Sequence, residues 1–390
     1  MRILLVSSFL PYPLTSGGHV RLYNIIKQLS ASHEVTLVCE KRSYQSQQDI
    51  EAVKKICKKV ITVERRKQWS MGNILKTGFS SLPFLLVGHT NTEMHTHIAS
   101  ALATESYDLI HVETFYVYPN IPKTQIPVVL VEHNIEYLVY QRYITKMPLP
   151  IRLFLSIDVA KLKKYEEYYW KKATAVGVVS AIEKRYIPRS NVAVIHNGVD
   201  SKKFTVRKGN TTQEKRILYI GDFKWIQNTD AVSWILKDIW PKITMQQQSW
   251  KLWIVSRSIP DSIRNLTSDP NVIFEEGGSI PTETIFQQAD VLLAPIRVGG
   301  GTSYKILEAM ASGVPVVTTP LGIEGLDATK DKDVLVSDDP EEIAALVMTL
   351  LQDAAKAKKL LTNARHLVET QYTWEAIGKE LETLYKQAVR

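Results

Sequence analysis

Thirteen short apolar runs, separated by stretches of helical periodicity, limit what this chain can fold into more than any other feature. The first seven are RILLVSS (2–8), HEVTLVCE (33–40), VITVE (60–64), YDLIHVE (107–113), PVVLVEHN (127–134), TAVGVVS (174–180) and NVAVIHN (191–197). A second series holds RILYIGD (216–222), KLWIVS (251–256), NVIFEE (271–276), ADVLLAP (289–295), VPVVTT (314–319) and DVLVSD (333–338). Such runs are apolar nearly throughout, not at every second position. Strands of that kind are covered on both faces, as in parallel sheets flanked by helices. Two alternating series therefore predict an α/β chain of two doubly wound, Rossmann-like domains.

The length of 390 residues agrees, since a single core stops growing at roughly 250–300 residues. Residues 201–215, SKKFTVRKGNTTQEK, are polar and lack apolar periodicity, so they are expected to link the domains. The expected division is a domain over 1–200, the linker, a domain over 216–370, and a terminal helix over 371–390. Hydrophobic content of 45% with 23% charge belongs to a globular protein. No apolar run approaches the roughly 18 residues of a membrane span. The opening MRILLVSS is read as a first strand, not a leader. Cys39 and Cys57 provide no disulfide framework and suit a reducing cytosol. The sequons at Asn210 and Asn265 are discounted accordingly.

Charge is uneven. Residues 1–198 hold 25 Lys/Arg against 15 Asp/Glu, whereas the remainder holds 23 against 25. A basic first half favours an anionic partner, such as a phosphate-bearing substrate, a membrane surface or nucleic acid. The basic, aromatic-rich helical stretch 151–173 could lie on such a surface.

The densest chemistry lies in APIRVGGGTSYKILEAMASGVPVV (294–317). Gly299, Gly300 and Gly301 follow a strand, and a helix starts at once. Ligands of open α/β sheets sit at the carboxyl ends of strands. Glycines let backbone approach an anion, and a helix N-terminus supplies N–H groups and a positive dipole end. Thr302 and Ser303 are expected to add cap hydroxyls. Lys305 and Glu308 share one helix face. The cation suits a diphosphate, and the carboxylate suits the paired hydroxyls of ribose. Gly17 and Gly18 open a helix after the first strand in the same way. His133 ends the strand 127–134 within Glu132-His133-Asn134, on the expected ligand side. His111 and Glu113 end the neighbouring strand and are expected on the acceptor side. Asp331 and Asp333 have a spacing that some transferases use for a metal, but they lie in the turn ATKDKD, where acidic residues are ordinary. No metal site is expected.

These features fall in order with IHNGVDSKKF, the YIGDF strand and a terminal YTW…LY helix. Together they resemble the retaining glycosyltransferases of family 4, which have the GT-B fold. The resemblance extends over the whole chain and is similar to a bacterial subgroup tied to surface polysaccharide assembly. It implies a nucleotide-sugar donor, expected to be UDP-glucose or a similar UDP-hexose, and a glycan or lipid-linked acceptor. It also implies a cytoplasmic protein, with peripheral contact at the inner membrane face, no cofactor and no nucleic acid partner. Glu308 would hold the ribose, and Gly300 to Thr302 the diphosphate and sugar. Gly17 and Gly18 would close over the phosphates, His133 would lie near the donor sugar, and the last helix would cross back to the first domain.

Two departures stand out. The first glutamate of the family's paired-glutamate motif falls at Gly300. The family's Arg and Lys after the first strand of the second domain fall at Asp222 and Gln227. The diphosphate charge must then be met by Lys305, Arg297 or Lys224. With no carboxylate nucleophile in evidence, the protein would work by positioning and by stabilising the leaving group, with Lys305 and His133 as the catalytic residues. Two further readings stay open: a sugar-nucleotide epimerase on the same fold, and a non-enzymatic polysaccharide-binding protein.

Overall fold

Each of the thirteen apolar runs forms a strand in the computed structural model, which describes residues 1–145, 147–206, 214–276, 278, 280–299 and 301–390. The chain divides into two units, residues 1–196 with 377–390, and residues 197–376.

In the first unit the strands are β1 (Arg2–Ser7), β2 (Glu34–Lys41), β3 (Lys59–Glu64), β4 (Leu109–Glu113), β5 (Val128–Val131), β6 (Ala175–Val178) and β7 (Val192–Val194). They lie in the order β3-β2-β1-β4-β5-β6-β7, all parallel. Ile3, Leu4, Leu5 and Val6 are consecutive and fully buried, which requires cover on both faces of the sheet. Strand order reverses between β1 and β4, where Ser7 pairs with Glu113. A crevice at the strands' carboxyl ends forms at such a reversal. The helices of this unit include α1 (Gly17–Leu29), α2 (Met71–Phe79), α3 (Glu136–Ile144) and α4 (Leu149–Lys172).

Helix α4 has two characters. Its second half buries Leu162, Glu166, Tyr169 and Trp170, whereas residues 149–154 are all exposed. Trp170 Nε1 and the Phe115 backbone N–H donate to the two oxygens of Glu132, each at 3.1 Å. Glu132 is fully buried and structural, unlike its neighbour His133.

The second unit contains β8 (Arg216–Ile220), β9 (Lys251–Ser256), β10 (Val272–Glu276), β11 (Val291–Ala294), β12 (Val316–Thr318) and β13 (Leu335–Val336). Their order is β10-β9-β8-β11-β12-β13, again parallel, with the reversal between β8 and β11. The helices used below are α5 (Ile226–Trp234) and α6 (Tyr304–Ala311). Helix α7 (Trp374–Val389) closes the chain; Ile377, Leu381, Leu384 and Tyr385 on it are buried within the first unit.

The break between units falls at His196–Asn197, ahead of the stretch 201–215 expected as the linker. The physical reason is local. Arg365 donates to the carbonyls of Phe204 and Ser201 at 2.7 and 3.0 Å, and the Phe204 ring packs edge-on against Phe286. Residues 201–206 are therefore bound into the second unit; residues 207–213 lie outside the described residues.

Candidate active site

In the second unit, the loop after β11 reaches α6 across the strand-order reversal. Gly299 and Gly301 have φ of +114° and +78°, values at which a side chain would be strained. Gly300, expected to contact the donor, lies outside the described residues. A Cβ on Gly325 would stand 2.6 Å from the Thr302 nitrogen, so the two loops meet backbone to backbone. The expected cap hydroxyls do not form. Thr302 Oγ1 donates instead to the Gly325 carbonyl at 3.2 Å, and Ser303, at the N-cap position, makes no side-chain cap bond. Ser303 thus leaves α6 without its own side-chain cap, an arrangement compatible with an anion at the helix start.

Lys305 and Glu308 lie in α6, as expected. Lys305 Nζ donates to Asn228 Oδ1 at 2.9 Å and reaches the Tyr219 hydroxyl at 3.4 Å. It also lies 4.5 Å from the centroid of the Tyr219 ring. Burial pulls this ammonium down to about 7, against the opposing pull of Glu308. Asn228 is fixed in turn, because its Nδ2 donates to the Asp222 carbonyl at 2.8 Å and its Oδ1 accepts from Tyr219 at 3.0 Å. Burial pushes the Glu308 carboxyl up to about 7, with Lys203 and Lys305 opposing and Glu283 adding to the rise. Among the described residues, the Glu308 side chain has no hydrogen-bond or ion-pair partner. A half-buried carboxylate left open in this way can accept from two hydroxyls.

The other expected cations differ. The Arg297 guanidinium is paired in a fork with Asp230 at 3.0 and 3.1 Å and stacks 4.3 Å from the Trp234 ring. Its charge is thereby matched within the unit. Lys224 is exposed, and its backbone N–H donates to Asp222. Residues 331–333 form a turn in which the buried Asp333 carboxylate accepts from the Thr329 N–H at 2.9 Å. Among the described residues no cluster of three His, Cys, Asp or Glu could hold a metal.

In the first unit, Gly17 and Gly18 open α1, capped by Ser16. His133 lies half-buried at the end of β5, and its Nε2 is 2.5 Å from Glu113 Oε1. The other Glu113 oxygen is 2.5 Å from His111 Nε2, and His111 Nδ1 bonds the Tyr385 hydroxyl of α7. Burial alone would raise the Glu113 carboxyl, but His133 and His111 reverse this and hold it well below the usual carboxylate range. The expectation that His111 and Glu113 face an acceptor is therefore corrected. Both are fully buried, and they form a chain from Tyr385 to His133 that holds the only partly exposed member in place. The Phe9 ring packs edge-on to both His19 and His133.

Sequence reasoning missed Asn228, Tyr219 and Arg21. Arg21 is fully buried, with its guanidinium 3.6 Å from Glu113 and donating to the carbonyls of Ile195 and His196. A charged residue on the apolar face of HVRLYNIIKQLS was the available signal.

Comparison with known proteins bears on the family and on the fold. Residues 15–203 match the family model "Glycosyltransferase Family 4", and residues 214–353 match "Glycosyl transferases group 1". An uncharacterized 44.6 kDa protein in the cps region of Klebsiella pneumoniae is 20% identical, over 95% of this chain and 96% of that one. Among solved structures, sucrose-phosphate synthase from Thermosynechococcus elongatus superposes with a TM-score of 0.71 at 17% identity, covering 99% of both chains. Anabaena HepE in complex with UDP and glucose gives a TM-score of 0.63 at 14% identity, covering 99% of this chain and 100% of that one.

Proposed function

Because the chain belongs to the family 4 type of glycosyltransferases, with the two-sheet GT-B architecture, we propose that it moves a hexose from a UDP-sugar to a hydroxyl of a glycan or lipid-linked acceptor. The reaction retains anomeric configuration and uses no metal. Surface polysaccharide assembly is the setting that the cps-region relative supports. HepE, solved with UDP and glucose, supports UDP as the carrier.

The observation that carries this reading is α6. A glycine turn with positive φ, a helix start that Ser303 does not cap, the Lys305 ammonium and a Glu308 carboxylate that makes no hydrogen bond among the described residues succeed one another at the strand-order reversal. In the reaction, the bond between the sugar's anomeric carbon and the diphosphate breaks, and the diphosphate keeps the electron pair. The acceptor oxygen bonds to the same carbon from the same face, and its proton passes to a leaving-phosphate oxygen. Lys305 and the helix N-terminus stabilise the charge that develops on that group. Glu308 accepts from the ribose hydroxyls. His133, oriented by Glu113, is the candidate catalytic residue of the first unit.

Thermal unfolding with UDP, GDP, ADP and their sugars tests the donor site. UDP at one hundred times its dissociation constant should stabilise by about 2.7 kcal/mol. Stabilisation by none of the nucleotides would remove the donor-site reading. Product NMR from a UDP-hexose and an acceptor tests retention through the anomeric configuration.

A further inference from the structure

Two arginines stand together at the carboxyl edge of the first sheet. Arg42 directly follows β2, and Arg65 directly follows β3, the neighbouring strand. Among the described residues, neither guanidinium pairs with a carboxylate. By contrast, Arg21 meets Glu113 at 3.6 Å and Arg297 meets Asp230 at 3.0 Å. Burial lowers the half-buried Arg65 from its ordinary value, and the like charge of Arg42 lowers it further, with Glu40, Tyr116 and Tyr140 opposing. Like charges held together disfavour one another, and an oxyanion between them reverses this.

Arg65 is held from behind. Its guanidinium donates to His89 Nε2 at 3.2 Å. An arginine only donates, so the His89 proton lies on Nδ1, which donates to Glu40 at 3.0 Å. Burial keeps His89 below its ordinary value, with Glu40 opposing and Arg65 and Arg42 adding, so the ring is neutral. His89 and Glu40 are both buried. The ring takes one N–H of Arg65 and leaves the rest of the planar fork open among the described residues. Arg42 is placed by its loop. Its backbone N–H donates to Gln45 at 2.8 Å, and Gln45 Nε2 donates to the Leu10 carbonyl at 3.0 Å. The pair lies on the same rim as His133. Burial and then Arg42 lower His19, and the Phe9 ring joins His19 edge-on to His133.

We propose that Arg42 and Arg65 bind an oxyanion carried by the acceptor, a phosphate or a carboxylate, so that the enzyme selects acidic acceptors. Glu40 and His89 are positioning residues that set the fork of Arg65. This rests on the glycosyl-transfer reading above, in which α6 and Lys305 meet the donor's diphosphate and leave this pair for the other substrate. An arginine fork matches two oxygens of a carboxylate or phosphate. Even with the buried Glu40 counted against them, the two arginines leave the cluster with positive charge in excess. A neutral sugar makes no use of that charge.

Ligand-observed NMR on the full chain tests this, with and without saturating UDP, using glucose, glucuronic acid and glucose 1-phosphate as probes. With UDP in the donor site, an acidic sugar should bind at least about tenfold more tightly than glucose, as charge-assisted hydrogen bonds require. Tighter binding of glucose 1-phosphate assigns the pair to a phosphate, as on a lipid-linked acceptor; tighter binding of glucuronic acid assigns it to an acidic glycan. Arg65→Gln should abolish the preference and Arg65→Lys should keep part of it, both with wild-type UDP affinity and thermal midpoint. His89→Phe should lower the preference, and His89→Gln, which keeps an acceptor for Arg65, should restore part of it. Equal binding of neutral and acidic sugars, binding of none, or a preference that survives Arg65→Gln overturns the proposal. So does a fall in UDP affinity in a folded Arg65→Gln, which would give the arginines to the donor. Absence of UDP binding by the wild type would count against the donor reading instead, and a charge preference that Arg65→Gln removes would still stand.

Discussion

Lys305 on α6 and Asn228 on α5 are joined by a 2.9 Å hydrogen bond, 77 residues apart in sequence. Asn228 directly follows Gln227, one of the two positions where the family's basic residues are absent. The Asn228 amide and the Tyr219 hydroxyl and ring surround the lysine. Lys305 is thus the cation that α6 itself provides beside its N-terminus.

A leaving diphosphate gains charge as the glycosidic bond breaks, and a helix dipole equals only about half a charge. Lys305→Ala should therefore lower turnover at saturating donor by on the order of a hundredfold, and should weaken donor binding less. Lys305→Arg should rescue in part, since a planar fork does not replace a point charge. Near-normal turnover in Lys305→Ala, with loss in Lys224→Ala, would move the charge to Lys224.

Proton uptake gives an independent check. In the free protein burial lowers Lys305 to about 7, so at pH 8 it is mostly neutral. A diphosphate beside it favours the charged form and raises that value. UDP binding at pH 8 should take up a fraction of a proton. Glu308, at about 7, is already mostly ionised at that pH and contributes little. Calorimetry in two buffers of different ionisation enthalpy measures the uptake. Lys305→Arg should abolish it; the same uptake in that variant would exclude Lys305 as the source.

Glu308→Ala removes an acceptor for hydrogen bonds to the ribose. Such bonds to a charged group are worth roughly 1.5–3 kcal/mol each. UDP affinity should fall at least about tenfold while the fold persists, because Glu308 has no partner among the described residues to lose. Titration of UDP into wild type and variant decides; unchanged affinity would end the ribose assignment.

Glu113 should be a stability residue as well as an orienting one. Removing one partner of a buried charged pair costs roughly 3–5 kcal/mol, so Glu113→Gln should unfold at much lower denaturant concentration near pH 7. The folded carboxyl lies below its unfolded value, near 4.3. The folded state thus binds fewer protons, and this stability is complete above about pH 4.3 and lost as pH falls towards the folded value. The gap between wild type and Glu113→Gln should narrow from pH 6 to pH 3. A constant gap would mean that ionised Glu113 contributes nothing.

Metal independence is checked by turnover in EDTA. Activity should be unchanged, since Asp333 is engaged by the Thr329 N–H in a turn. Loss of turnover that manganese or magnesium restores would show a metal requirement.

What the sequence determined by itself was set by local pattern. Continuous apolar runs demand cover on both faces, so thirteen strands in two parallel sheets were legible from period and composition. So was the glycine turn ahead of α6, because the positive φ of Gly299 and Gly301 calls for glycine. The Lys305–Glu308 spacing was visible too, since helical geometry alone puts both on one face. What only the tertiary structure decided concerns partners far apart in the chain. Arg297 looked like a cation for phosphate until Asp230, 67 residues away, proved to hold it. His111 and Glu113 sit at a strand end, where side chains can face a ligand. They are buried because Tyr385, 274 residues beyond His111, returns on α7 to bond with it. Strand ends specify direction locally, but cover over them comes from sheet order and from the path of the last helix. Neither is written in the residues around the site.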